Sequence, residues 1–147
     1  MKIYLIGSLK DPHFPDVADA LRQAGHEVFD DWRGGGHDGD HRWRQYELNE
    51  RDRGYAEAVW APFAENGREF DRSNIAAQDM VVAVCKPGKL PGVSAVAELA
   101  YARWALKMPA VVLLNGEPEE WDLMLPLAVT EFFNTITELV EALDGPH

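Results

Sequence analysis

Glu98 is a glutamate whose helical neighbours offer it no ion pair. It lies one turn into a predicted helix, residues 94–107, among side chains that are almost all apolar. The residues three and four positions away carry no basic group: Ser94, Ala95, Tyr101 and Ala102. A carboxylate in that setting is partly desolvated, yet it is close to the positive end of a helix. Glu98 is therefore either a chemically active carboxylate or a solvent-facing residue that favours the helix start.

Small residues precede two predicted helices. Gly7 and Ser8 follow the first apolar run, and Gly92 and Ser94 precede Glu98. Small residues let backbone amides approach an anion, and the amino end of a helix favours negative charge. Ordinary turns with a serine N-cap are the alternative interpretation of both segments.

Three other side chains could contact an organic substrate. Asp71 and Asp79 flank a weakly predicted helix, and an aspartate can accept hydrogen bonds from a base or a sugar. Trp32 follows the second predicted strand, where its ring could stack on a base. The alternatives are that Asp71 and Asp79 are surface carboxylates at helix ends and that the indole of Trp32 is packed against the protein.

The sequence predicts no metal site and no cofactor. His37, Asp38, Asp40 and His41 lie in a glycine-rich segment that lacks a helix or strand to fix their geometry, so a solvated loop is expected. Cys85 ends a strand with nothing beside it to activate the thiol, which indicates a core residue. A P-loop motif is absent from the sequence.

Strand-like and helical segments alternate along the chain. Continuous apolar runs such as MVVAVC predict strands buried on both faces, and their alternation with helices indicates a parallel sheet. We expect an α/β, flavodoxin-like fold with five strands in the order 2-1-3-4-5 and ligands beyond the carboxyl ends of the strands. The predicted strands are 2–6, 26–30, 80–85, 110–114 and 128–132. The predicted helices are 14–24, 42–63, 67–78, 94–107 and 134–143, the last with Asn134 as a candidate N-cap.

The composition predicts one acidic domain, residues 1–147. The chain has 25 acidic and 14 basic residues and a net charge of −11, which argues against nucleic-acid polymers and anionic membranes as partners. One cysteine fits a reducing compartment, and no apolar run has the length of a membrane span, so a cytoplasmic protein is expected. Residues 80–107 are locally basic, which leaves room for one small anion.

Three blocks of sequence carry a resemblance to a known family. They are IYLIGS at 3–8, D-x-x-x-I-x-x-x-D at 71–79 followed by MVVAV, and GVSAVAELAYA at 92–102 followed by KMPAVVLL. In order and spacing the chain resembles the nucleoside 2-deoxyribosyltransferase family and its nucleotide N-hydrolase relatives, over about residues 2–114.

The resemblance implies a flavodoxin-like enzyme that cleaves the N-glycosidic bond of a nucleoside or nucleotide. Glu98 matches the nucleophile that attacks C1′ of the sugar, and Asp71 matches the aspartate that contacts and helps protonate the departing base. Tyr4 matches a first-strand tyrosine that would orient Glu98. In the family, one region holds the 5′ end of the sugar or its phosphate. The residues of this chain that match that region are Gly7, Ser8, Gly92 and Ser94. Family members are oligomers with sites near subunit contacts, so a homo-oligomer is expected.

The sequence also departs from the family. The transferases usually carry an acidic residue six positions before the nucleophile and the phosphate-recognising hydrolases a serine, whereas this chain has Gly92. The family's ELGYA is ELAYA here, and the segment 31–63 is unlike the transferases. A nucleotide-binding module without catalysis is therefore a rival hypothesis, because fold does not fix function. A scaffold that uses the aromatic residues of 43–63 as an interface is another.

Overall fold

The computed structural model describes residues 1–8, 11–30, 45–46, 48–49 and 55–145. The strands are β1 (Lys2–Ile6), β2 (Glu27–Phe29), β3 (Met80–Val84), β4 (Ala110–Leu113) and β5 (Glu131–Phe133). The helices are α1 (His13–Gln23), α2 (Tyr55–Trp60), α3 (Pro62–Ala76), α4 (Val93–Ala100) and α5 (Ile136–Asp144). A π-helical turn, Tyr101–Ala105, continues α4, and a short 3₁₀ turn covers Leu125–Leu127.

All five strands are parallel and lie in the order β2-β1-β3-β4-β5. This is the flavodoxin-like order expected from the sequence. Beyond the exposed Lys2 that begins β1, every residue of the three inner strands is buried, because helices cover both faces of these strands. The two edge strands have three residues each and are only partly buried.

Successive side chains of β1 point to opposite faces of the sheet, which separates the core into two layers. Leu5 packs with Leu21 of α1 on one face. Tyr4 packs with Ile75 of α3 and Leu99 of α4 on the other. Tyr4 therefore lies beneath the helices that carry Asp71 and Glu98.

Two predicted helices differ in their bounds. Pro62, near the end of the predicted helix 42–63, instead begins the long helix α3, because a proline at the first helical position loses no internal hydrogen bond. The predicted helix 94–107 is α-helical only to Ala100. Beyond it the N–H of Leu106 donates to the carbonyl of Tyr101 at 3.2 Å, one residue wider than an α-helical bond.

The chain after β4 also differs from the expectation in detail. The fifth strand is Glu131–Phe133, slightly later than the predicted 128–132. The N-cap of α5 is Thr135, whose hydroxyl accepts the N–H of Glu138 at 3.2 Å. Asn134, the predicted cap, lies one residue before the N-cap and donates its N–H to the Glu138 carboxylate at 2.9 Å.

Candidate active site

Tyr4, Asp71 and Glu98 meet on the face of the sheet covered by α3 and α4. Each comes from a different element: Tyr4 from β1, Asp71 from α3 and Glu98 from α4. Tyr4 and Glu98 both hydrogen-bond to the Asp71 side chain. Three residues that are distant in the sequence therefore form one hydrogen-bonded group.

Helix geometry explains why the two carboxyls point inward. On α3, Asp71 lies seven residues after Ala64 and four before Ile75, and both of those are buried against the sheet. On α4, Glu98 adjoins Leu99, which is fully buried, so it lies at the margin of the apolar stripe. Each carboxyl is consequently half-buried rather than solvated.

Burial raises the pKa of Glu98 to about 8, and the negative charge of Asp71 and a hydrogen bond to it act in the same direction. A hydrogen bond that raises the pKa of Glu98 is one in which the protonated Glu98 carboxyl donates. Burial also raises the pKa of Asp71, while the hydrogen bonds from Glu98 and Tyr4 oppose that rise. At neutral pH Glu98 therefore keeps a proton that it donates to Asp71.

Tyr4 is held in its neutral form. Burial, followed by the charges of Glu98 and Asp71, raises the pKa of its hydroxyl well above the usual range. Its ring stacks on Phe29 with centroids 5.4 Å apart and planes 12° apart, which fixes the direction of the hydroxyl. The sequence suggested that Tyr4 orients Glu98, but its hydrogen bond goes to Asp71. Any effect of Tyr4 on Glu98 acts through Asp71 and through charge.

The small residues selected from the sequence occupy different surroundings. A Cβ added to Gly7 would lie 2.4 Å from the Phe14 ring, so Gly7 is required for packing of α1. A Cβ added to Gly92 would meet nothing within 4 Å. Gly92 is the N-cap of α4 without a side-chain cap, and Ser94 is exposed in the first turn, so the alternative interpretation of Ser94 as an N-cap is wrong.

The aspartates of the 71–79 motif have separate roles. Asp71 belongs to the hydrogen-bonded group, whereas Asp79 lies at the opposite end of β3. There its carboxylate accepts the N–H of Lys2 at 2.8 Å, and its own N–H donates to the Lys2 carbonyl at 2.7 Å. Asp79 therefore joins β1 to the chain that enters β3.

Cys85 and Asp11 are neighbours beyond the carboxyl ends of β1 and β3. Burial and the charge of Asp11 raise the pKa of Cys85 to about 12, so the thiol stays protonated and inert. Asp11 is only 5% exposed, and its Oδ1 accepts the N–H of His13 at 3.0 Å. No motif marks Asp11 in the sequence, although it lies beyond the carboxyl end of β1, where a ligand is expected.

Trp32, the segment from His37 to His41 and most of the predicted helix 42–63 before Tyr55 lie outside the described residues. Within the described ranges no group of three or more His, Cys, Asp or Glu residues could hold a metal ion. Within the same described ranges, every helix is also too short or too polar to span a membrane.

The pair of carboxyls has the composition of a two-carboxylate catalyst. When two such groups hold one proton, one can act as a nucleophile and the other as a general acid. A neutral tyrosine that donates to the acid stabilises the carboxylate left after proton donation. A nucleophile and a general acid are what a displacement at a sugar carbon needs when the leaving group must be protonated.

Three solved structures share the fold over nearly all of this chain. A 2-deoxyribosyltransferase from Bacillus psychrosaccharolyticus is 18% identical with a TM-score of 0.57, covering 95% of this chain and 90% of its own. A CMP N-glycosidase from Clostridium botulinum is 16% identical with a TM-score of 0.57, covering 99% and 100%. A conserved protein from Enterococcus faecalis is 14% identical with a TM-score of 0.62, covering 96% and 95%.

At these identities the likeness shows the fold alone. It is nevertheless the fold that the sequence resemblance implied. No protein-family model matches the chain, and no curated protein sequence matches it.

Proposed function

We propose that this protein cleaves or transfers at the N-glycosidic bond of a nucleoside or nucleoside 5′-monophosphate. The observation that carries the proposal is the half-buried pair of carboxyls, Glu98 and Asp71, hydrogen-bonded to each other, with Tyr4 hydrogen-bonded to Asp71. The fold shared with a 2-deoxyribosyltransferase and a CMP N-glycosidase supports the same class of reaction.

In the first step the Glu98 carboxylate attacks C1′ while the C1′–N bond breaks. Asp71 gives its proton to the departing base, so the base leaves neutral. The product is a glycosyl ester on Glu98 with inverted configuration at C1′. In the second step water or another base attacks C1′ from the opposite face, its proton passes to Asp71, and the Glu98 carboxylate is released. Two inversions give net retention.

The hydrogen bond between the carboxyls supplies the protonation state that this reaction needs. Before substrate binds, the proton resides on Glu98 and is donated to Asp71. Its transfer along that bond leaves Glu98 ionised as the nucleophile and Asp71 protonated as the acid. Tyr4 then stabilises the Asp71 carboxylate that forms when the base takes the proton. One proton in the pair is therefore the active state.

The test is chromatographic measurement of base release from nucleosides and 5′-monophosphates, with and without an acceptor base. Turnover only with acceptor identifies a transferase, and turnover with water alone identifies a hydrolase. Glu98→Ala should abolish release, whereas Glu141→Gln, an exposed glutamate on α5, should retain it. Release by Glu98→Ala at the parent rate overturns the mechanism.

The covalent intermediate has its own test. Acid quenching during turnover, followed by mass spectrometry of proteolytic peptides, should show one glycosyl group on the peptide that contains Glu98. The peptide from Glu98→Gln should carry none, because an amide is not a competent nucleophile here. A glycosyl adduct on another residue would reassign the nucleophile.

The second candidate is a nucleotide-binding module without catalysis. Gly92 favours it, because this exposed N-cap brings no side chain to the substrate where related enzymes carry a polar group. Calorimetry separates the two hypotheses: tight binding of a nucleotide that is recovered unchanged supports the module, and conversion to free base supports the enzyme.

The proposal includes self-association of the chain and a cytoplasmic location. Self-association is supported by an exposed apolar patch. The connection between β4 and β5 exposes apolar side chains beside Trp104, with Leu123 at 93% and Met124 at 68% exposure. Such a patch is typical of a contact surface, and we infer a homo-oligomer. Analytical ultracentrifugation of the parent protein and of Leu123→Asp tests it. A parent protein that sediments as a monomer at high concentration contradicts it.

A further inference from the structure

Asp11 is the buried charged residue that the proposed mechanism does not use. Its N–H donates to the Ser8 carbonyl at 3.1 Å, which turns the chain back after β1. Its carbonyl accepts the N–H of Phe14 at 3.2 Å, and Oδ1 accepts the N–H of His13 at 3.0 Å. Oδ2 is buried and has no hydrogen-bond partner in the described part of the chain.

A buried carboxylate oxygen without a partner is unfavourable, because desolvation is not offset by a hydrogen bond. Such atoms are uncommon in folded proteins and often mark a place where a ligand donates. The backbone and Oδ1 contacts hold the side chain in position before any ligand arrives. Oδ2 of Asp11 is therefore a preformed acceptor.

Asp11 lies at the place in the fold where a ligand is expected. β1 and β3 are adjacent, with Ile6 opposite Ala83, and Asp11 approaches Cys85, which follows β3. The sheet order reverses between these two strands, and in open α/β sheets ligands bind beyond the carboxyl ends at such a reversal. Tyr4 lies farther down β1 on the face of Asp71 and Glu98. A sugar with C1′ at Glu98 would have to direct its 5′ end toward the carboxyl ends of β1 and β3 to meet Asp11.

Three of the four basic residues of 80–107 make contacts away from Asp11. Lys89 pairs with Glu119 at 3.2 Å. Arg103 donates to the carbonyls of Pro126, Leu127 and Val129, at 2.6 to 3.0 Å. The ammonium group of Lys107 lies over the Trp104 ring at 5.4 Å. Three of the cations that suggested a small-anion site are thus engaged elsewhere.

We propose that Oδ2 of Asp11 accepts a hydrogen bond from the 5′-hydroxyl of the substrate, so that free nucleosides are preferred over their 5′-monophosphates. The inference rests on the proposed function and chooses between its two substrate classes. A hydroxyl supplies the donor that Oδ2 lacks. A phosphate offers acceptors and negative charge to a buried carboxylate, which is repulsive.

Asp11→Asn is the sharpest variant. Asparagine keeps an acceptor for the His13 N–H and replaces Oδ2 with an NH₂ group that cannot accept. Asp19→Asn, exposed on α1, is the matched control. Thermal melts of both variants establish that each is folded before any comparison of substrates.

The experiment measures kcat/KM for three substrates that carry the same base and differ only at the 5′ position. They are the nucleoside, its 5′-deoxy analogue and its 5′-monophosphate. The parent protein should favour the nucleoside over the 5′-deoxy analogue by about 10- to 100-fold, the usual effect of a hydrogen bond to a charged group. Asp11→Asn should lose most of that preference and gain relative activity on the monophosphate. Equal losses on the nucleoside and the 5′-deoxy analogue would make Asp11 merely structural and overturn the inference.

Binding separates failure of this inference from failure of the proposed function. If no base is released, calorimetry with the nucleoside and its 5′-deoxy analogue still measures the contribution of the 5′-hydroxyl. A preference that Asp11→Asn abolishes supports the subsite without catalysis. Absence of the preference, or tighter binding of the monophosphate by the parent protein, overturns the inference, as does absence of nucleoside binding altogether.

Discussion

Asp71 and Glu98 hydrogen-bond to each other across the contact between α3 and α4, and Glu98 is the donor. Each carboxyl on its own would be a half-buried acid with a raised pKa. Together they retain a proton at neutral pH that neither would hold in water. We therefore expect the protonation of this pair to control how both activity and stability depend on pH.

The pH dependence of kcat/KM should have an alkaline limb near pH 8. In the proposed mechanism the free protein is active with one proton in the pair, and Glu98 loses that proton through a pKa of about 8. Above it Asp71 has no proton for the departing base. Initial rates between pH 5 and 10 with subsaturating substrate measure the limb. Activity that keeps rising beyond pH 9 would contradict the shared-proton mechanism.

Glu98→Gln should stabilise the folded protein, and the gain should depend on pH. The pKa of Glu98 is about 8 when folded and 4.5 in its ordinary state, so the folded form binds more protons in between. Stability from this group is fully present below pH 4.5 and is lost as pH rises through 8, by at most about 1.4 kcal/mol per pH unit.

The free energy of unfolding from urea titrations at pH 5, 7 and 9 measures the effect. The advantage of Glu98→Gln over the parent protein should grow from pH 5 to 8 and then level off. Glu141→Gln, on an exposed face of α5, should differ from the parent by a constant amount. An advantage for Glu98→Gln that shrinks as pH rises would mean that the carboxyl is not held protonated.

Asp71→Asn should slow base release in proportion to how much the base needs protonation. With an ordinary purine or pyrimidine nucleoside we expect a loss of about 100- to 10,000-fold, the usual contribution of a general acid. A 7-methylguanine nucleoside, whose base already carries a positive charge, should be affected much less. Equal losses on both substrates would place Asp71 in binding and not in proton donation.

Tyr4→Phe should move the acidic limb of the pH profile to higher pH. The Tyr4 hydroxyl donates to Asp71 and holds the pKa of that carboxyl down against burial. Without that hydrogen bond the pair takes up a second proton at a higher pH and loses the ionised nucleophile. The retained ring should keep its stacking on Phe29, so a melting temperature close to the parent's is the control.

Gly7→Ala and Gly92→Ala form a matched pair for stability. A Cβ at Gly7 would collide with the Phe14 ring, and overpacking of this kind costs about 1–3 kcal/mol. A Cβ at Gly92 meets nothing within 4 Å, and the extended backbone there suits any residue, so a change of only about 0.5 kcal/mol is expected. Equal destabilisation by the two variants in urea titrations would contradict this packing role for Gly7.

The sequence by itself determined the sheet and the helices that cover it. Apolar runs such as Met80–Val84 can be buried on both faces only between two layers of helices, so alternation of such runs with helices predicts the parallel sheet. Glu98 could be selected in the same way, because its neighbours in the sequence offered no ion pair. These features depend on local pattern.

Which side chains meet was decided only by the tertiary structure. Asp71 and Asp79 have equal standing in the sequence, yet the rotation of α3 turns Asp71 toward Glu98, while Asp79 binds the backbone of Lys2. The buried oxygen of Asp11 also has no sequence signal. Hydrogen bonds between distant elements depend on strand register and helix rotation, and packing of the whole core sets both.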